Sequence, residues 1–186
     1  MLIRNEHDIL GVIRGDKWRM DVLRAARELD LPDWWIGSGF VRTAVWDAMY
    51  DKADKMVLPD VDVIYLDSYD LSKETDKSYE LKLSTLIPGV PWSVKNQARM
   101  HLRNNDAPYA SCAEAICCWP ERASAVAVKL NRENGLRLLA PLGIADLLAG
   151  IIRPTPRFLS KMDIFRERQA KKNWRSIWPQ LRYAEE

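Results

Sequence analysis

Histidine and cysteine are scarce in this chain. Its 186 residues include two histidines, His7 and His101, and three cysteines, Cys112, Cys117 and Cys118. No cysteine pair stands at zinc-ligand spacing with a histidine beside it, which argues against a sequence-local zinc site. The cysteine count is odd and two of the three are adjacent, which argues against a disulfide framework and fits a reducing compartment. Cys117 and Cys118 sit beside Trp119 and Pro120, far in sequence from either histidine. They read as small buried hydrophobes rather than nucleophiles. No run of about 18 apolar residues occurs, so no membrane span is expected. The first eight residues lack an apolar stretch of signal length, and cytoplasm is the expected location. Charge imbalance is also small. The formal net charge is +2, too little to argue by itself for a nucleic-acid partner.

The remaining composition is that of a globular protein, 47% hydrophobic and 29% charged. Eight tryptophans are spread from Trp18 to Trp178, which suggests core corners and grooves rather than one exposed cluster. Charge is segregated along the chain. Asp47, Asp51, Asp54, Asp60, Asp62 and Asp67 gather in the middle, whereas Arg153 to Arg182 holds nine Lys/Arg against two Asp/Glu.

Hydrophobic periodicity predicts a helix from Lys17 to Glu28, closed by Pro32, and a short strand at Trp34–Ile36. A second helical stripe runs through Phe40, Val41, Ala44, Val45, Ala48 and Met49. Tyr50 to Met56 reads as a polar connection, Val61–Leu66 as a strand and Leu71–Leu86 as a helix. Trp92–Val94 could be a third strand. This alternation implies an α/β (α+β) core with a small mixed β-sheet and flanking helices. Further on, residues 111–116 read as helix, Ala125–Leu130 and Leu136–Ala140 as a hairpin, and Ile144–Ile151 as a short helix. Pro154 and Pro156 mark a linker before a basic closing helix, Met162–Trp174. Residues 1–110 are expected to form the core, with 111–186 packing on it.

Two stretches carry chemistry. In Ile36-Gly37-Ser38-Gly39-Phe40-Val41-Arg42 a glycine turn leads into a helix, whose free N–H groups and positive end suit a phosphate. In Leu58-Pro59-Asp60-Val61-Asp62-Val63-Ile64-Tyr65 two aspartates stand two apart, so a strand points both the same way. They read either as ligands of a divalent ion or as a solvated strand edge. Ser38 reads as a phosphate contact or an ordinary turn residue. Arg42 reads as an anion-binding group or a partner of Asp47.

The run Ser38-Gly39-Phe40-Val41-Arg42 followed by Asp60-Val61-Asp62 resembles the head domain of the nucleotidyltransferase superfamily, in its branch of tRNA nucleotidyltransferases and poly(A) polymerases. Thr43 stands where that branch has aspartate. The Trp92–His101 block, Ala140–Leu147 and Trp178-Pro179 extend a resemblance to bacterial nucleotidyltransferase-like proteins over nearly the whole chain. The resemblance implies that Asp60 and Asp62 hold Mg2+, with Arg42 beside them. It further implies that Ser38 and Gly39 bind the phosphates of a nucleoside triphosphate. Asn96 and Arg99 are expected in the substrate wall, or alternatively as a helix cap and a surface residue. The superfamily's third acid falls at Ser93. Asp67 and Glu80 are the nearby acids that could fold back in its place, and Asp146 could face Arg42 or Arg99.

The implied reaction is magnesium-dependent transfer of a nucleoside monophosphate to a small-molecule, protein or RNA acceptor. A second reading is nucleotide binding without transfer, for which Ser93 speaks. A third is nucleic-acid binding through Arg166, Arg168, Lys171, Lys172 and Arg175 of the basic helix, with Trp174 and Trp178 as stacking groups or core anchors. The oligomeric state stays open.

Overall fold

The computed structural model describes residues 2–52 and 56–184. Part of the polar connection expected between Tyr50 and Met56, with Asp54, lies outside the described residues.

A five-stranded mixed sheet organises the chain. In chain order its strands are β1 (Trp35–Gly37), β2 (Val61–Tyr65), β3 (Trp92–Asn96), β4 (Ala127–Leu130) and β5 (Leu136–Leu139). They lie side by side as β3-β2-β1-β4-β5. The β2/β3 pair is parallel and the other three pairs are antiparallel. The three strands expected to neighbour one another do so. The sheet also crosses residue 110, since β4 and β5 from the second part extend it beyond β1.

The first helix, α1 (Glu6–Gly15), has no counterpart in the sequence reading. Its Gly11 and Gly15 dilute the helical signal, yet Asn5 caps it by accepting from Asp8 N, and Ile9 and Ile13 are buried. The next helix, α2 (Lys17–Arg27), starts on an Asp16 cap and matches the expected segment to within a residue. Next comes α3 (Gly39–Met49), in which every residue from Phe40 to Asp47 is buried. It is the central helix. The amphipathic helix expected at 71–86 is α4 (Lys73–Leu86), capped by Ser72. Asn96 caps α5 (Gln97–Asn104), and Ser111 caps α6 (Cys112–Cys117).

The helix expected through Ile151 stops early. Gly150 adopts φ +63°, a left-handed conformation that ends α7 (Ala145–Ala149). Ile151–Ile152 then forms β6, paired in parallel with β7 (Arg182–Tyr183) in a separate two-stranded ribbon. The closing helix α8 spans Met162–Lys172 and ends where Asn173 turns left-handed at φ 42°, so Trp174 falls in a short 3₁₀ turn.

Strand alternation divides the interior in two. Val61, Val63 and Tyr65 of β2 point into the larger core with Ile9, Leu23, Val41 and Trp46, whereas Ile64 and Trp35 join a smaller cluster with Cys112 and Ile116. Asp62 shares the face of Ile64. Three tryptophans fix the C-terminal segment to the larger core: Trp46 of α3 meets Trp174 and Trp178 edge-on, at ring-centroid distances of 5.6 and 5.2 Å. The Trp178 indole N–H donates to Asp47 Oδ1 at 2.9 Å. Trp178→Ala should therefore lower unfolding stability by about 3–5 kcal/mol, through the cavity left beside Trp46 and the loss of a donor to a buried carboxylate. Urea denaturation followed by tryptophan fluorescence measures it.

Candidate functional site

The turn between β1 and α3 is tighter than its glycine content suggests. Gly37 is needed for packing. A Cβ there would come within 2.4 Å of the Trp119 ring, so only glycine fits against this side chain. Ser38 adopts φ 53°, ψ −117°, a left-handed conformation that a non-glycine residue occupies at a cost of about 1–3 kcal/mol. Its N–H donates to Val126 O at 2.9 Å, anchoring the turn to the chain leading into β4. Gly39 then opens α3, whose first N–H groups face outward from the turn.

Asp60 and Asp62 flank the start of β2. A cavity of about 260 Å³ gathers Ser38, Gly39, Arg42, Thr43, Asp60 and Asp62, with Arg168, Lys171, Lys172 and Trp174 on its other side. Two segments about twenty residues apart in sequence thus meet, and α8 reaches the same hollow from the far end of the chain. Sequence reasoning had placed the α8 cations on a solvated face or a nucleic-acid surface. The signal that could have moved them is their spacing: 168, 171 and 172 fall on one side of a helix.

Electrostatics in the cavity are unbalanced. Burial, then repulsion from Asp60, raises the Asp62 carboxyl from its ordinary 3.8 to about 6, although Ser93, Lys95 and Lys172 pull the other way. Ser93 lies directly across from Asp62 in the parallel β2/β3 register, and its hydroxyl favours the ionised carboxylate. Among the described residues no group of three or more His, Cys, Asp or Glu is placed to hold a metal ion. The carboxylates of this hollow are the pair Asp60 and Asp62.

Arg42 is buried, 5% exposed. Its guanidinium stacks 4.0 Å from the Trp174 ring centroid, and Nη1 donates to Ser124 Oγ at 2.6 Å. Its contact with Ser38 Oγ is long, at 3.5 Å. Its Nε is buried without a hydrogen-bond partner. Burial lowers its pKa to about 10, opposed by attraction to Glu121 and reinforced by repulsion from Arg168. Asp47, one partner considered for Arg42, instead accepts from Trp178 and from Met56 N.

Asn96 and Arg99 do not line this cavity, which corrects their expected place in a substrate wall. Asn96 is wholly buried. Its side-chain oxygen accepts from Ala98 N and Asp67 N, and its amide donates to the carbonyls of Asp67 and Asp70. Arg99 pairs with buried Asp76, which also accepts from Tyr65 Oη, and donates to the Leu71 and Ser72 carbonyls. Both hold the α4–β3–α5 corner together. The substitutes considered for a third acid are engaged elsewhere too. Glu80 Oε1 accepts from Val94 N and Lys95 Nζ, and Asp67 caps Tyr69 N. Asp146 pairs with Arg153 rather than with Arg42 or Arg99. His101 packs edge-on against Tyr109, away from the cavity.

The raised Asp62 value makes a prediction about the metal-free protein. Below pH 4 the carboxyl is protonated in both folded and unfolded chains, and its stabilising effect is fully present. As pH rises through about 6 the folded protein gives up a proton it holds more tightly than the unfolded chain does, so stability is lost. Asp62→Asn should be the more stable protein at pH 7.5, by on the order of 1–3 kcal/mol. The difference should vanish toward pH 4. Thermal melts in chelator-treated buffer across this range check it, and a constant offset would contradict the assignment.

A family model for nucleotidyltransferases matches residues 24–183. Among solved structures, an NMR structure described as revealing a CCA-adding enzyme head domain is 35% identical, with a TM-score of 0.87 over 99% of this chain and 98% of that one. A CCA-adding enzyme in complex with CTP is 17% identical, with a TM-score of 0.62 over 100% of this chain and 44% of that one. The Thermotoga maritima CCA-adding enzyme complexed with tRNA gives 16% identity and a TM-score of 0.61 over 100% of this chain and 43% of that one. The chain thus spans less than half the length of these two enzymes, and at such identity they show the fold alone. A comparison with curated proteins finds no match.

Proposed function

The chain belongs to the nucleotidyltransferase family, and on that premise we propose that it transfers a nucleoside monophosphate from a nucleoside triphosphate to an acceptor hydroxyl with the help of Mg2+. The observation that carries this reading is the shared cavity of Ser38, Gly39, Arg42, Asp60 and Asp62. That sequence motifs about twenty residues apart line one cavity supports the reading.

The carboxylate pair fits a hard cation. Magnesium takes one or two protein carboxylates and completes its shell with water and phosphate oxygens, and the unrelieved repulsion at Asp62 is what such an ion would remove. When held there, the ion supplies positive charge at the α-phosphate. The chain's own residues do the rest. Ser38 and the first N–H groups of α3 receive the outer phosphates. Arg42, held rigidly by Ser124 and Trp174, keeps a fixed positive charge beside the turn. Ser93 orients Asp62 through its hydroxyl. The acceptor oxygen bonds to the α-phosphorus and the bond to the α,β-bridging oxygen breaks. Pyrophosphate leaves with that electron pair, and the acceptor's proton passes to solvent, since a serine hydroxyl is a poor base at neutral pH.

Ser93 also favours a second reading, in which the triphosphate binds and transfer is weak or absent. One experiment tests the metal and the triphosphate together. Asp60→Asn and Asp62→Asn should each weaken Mg2+ binding, read by calorimetry, at least tenfold, because each keeps its shape and loses its charge. Ser93→Asp, facing Asp62 across the parallel register, should tighten it. Unchanged affinity in both asparagine variants would remove the metal site. Tight triphosphate binding without pyrophosphate release on a broad acceptor panel would select the second reading.

A further inference from the structure

The three cations that α8 brings to the cavity have no role in the reading above. A bland account would leave Arg168, Lys171 and Lys172 as a solvated helix face. Arg168 argues against it. Its Nε donates at 2.6 Å to Oε1 of Glu121, a carboxylate with no solvent exposure. The same oxygen accepts from Gln169 Nε2 at 2.7 Å, while Oε2 is buried without a partner. A buried, half-satisfied carboxylate is expensive, and here it holds one edge of a guanidinium that faces the cavity. No described hydrogen bond engages the Nη groups of Arg168.

Arg168 and Lys172 stand one helical turn apart on α8, about 6 Å along its axis, and both line the cavity that holds Asp60, Asp62 and Arg42. That span is comparable with two linked phosphate groups. If the α-phosphate sits where Asp60 and Asp62 hold the metal, the cations beyond it face the two phosphates that depart. Negative charge grows on those phosphates as the bond breaks, and fixed cations there act on the transition state.

We propose that Arg168, Lys171 and Lys172 form the site for the leaving pyrophosphate, and that Glu121 is the positioning residue that aims Arg168 into it. This rests on the triphosphate reading above, and its consequence is selectivity for triphosphates over monophosphates, conferred by the C-terminal helix.

The test uses inorganic pyrophosphate and adenosine monophosphate as separate calorimetric titrants. Lys171 and Lys172 are exposed, so the double variant K171A/K172A should fold normally. It should bind pyrophosphate at least tenfold more weakly than the unaltered protein and the monophosphate equally well. K73A/K77A removes the same charge from α4, away from the cavity, and should bind pyrophosphate like the unaltered protein. Glu121→Gln should weaken pyrophosphate and spare the monophosphate, a distinction that a general loss of packing would not produce. Equal pyrophosphate affinity in K171A/K172A and the unaltered protein would overturn the proposal, as would absence of pyrophosphate binding in the latter. The Mg2+ titrations of the Asp60 and Asp62 variants report on the transfer reading alone, so failure of either is recognisable.

Discussion

The stacking of Arg42 on Trp174 is the contact on which the site depends. Arg42 lies on α3, one turn past the Ser38–Gly39 bend, and Trp174 follows α8 near the other end of the sequence. Their separation of 4.0 Å joins the turn between β1 and α3 to the end of the basic helix. Trp46 backs the pair from below and Trp178 backs Trp46, so an arginine that burial would otherwise disfavour is enclosed by aromatic faces. Together with the contacts of Arg168 and Gln169 to buried Glu121, this stack sets the height of α8 over the cavity. Core packing and site geometry are here the same set of contacts.

Backbone strain sits next to this stack. Ser38 occupies a left-handed conformation in which glycine would be at ease. A glycine would relieve that strain, and the serine in its place adds a hydroxyl to the cavity lining. Gly37 next to it has a different reason to be glycine, the Trp119 ring. Two neighbouring positions of one glycine-rich motif thus answer to different constraints, one of conformation and one of volume.

Legibility in the sequence followed the range of the interactions. Strands β1, β2 and β3 and helices α2, α3 and α4 were readable because each carries its own periodicity, bounded by Pro32, the glycine turn and Pro88-Gly89. The approach of Ser38 and Arg42 to Asp60 and Asp62 was readable because a short helix and loop join them. Helix α1 was not, since its glycines mask an apolar stripe that tertiary packing completes. The helix-cap alternative for Asn96 was readable, but the partner of Arg99 was not, because Asp76 lies on a helix whose buried face is set only on folding. Nor was the arrival of α8, which depends on three tryptophans and on Glu121, residues whose types say nothing of which distant partner they meet.

The low net charge of +2 conceals this arrangement. Acidic residues gather in the middle of the chain and basic ones near its end, and folding brings Asp60 and Asp62 of the first group together with Arg168, Lys171 and Lys172 of the second at one hollow. Burial of both groups comes first, with repulsion between Asp60 and Asp62 and between Arg42 and Arg168 added to it; attractions between the two sets offset these only in part, which leaves Asp62 raised and Arg42 lowered. Buried Glu121 takes up some of the cationic surplus from behind. A cavity built only for stability would replace such groups with apolar side chains of similar volume. One that retains opposed charges at its two ends is suited to a ligand with the complementary division: a cation for the aspartates and a chain of phosphates for the basic row.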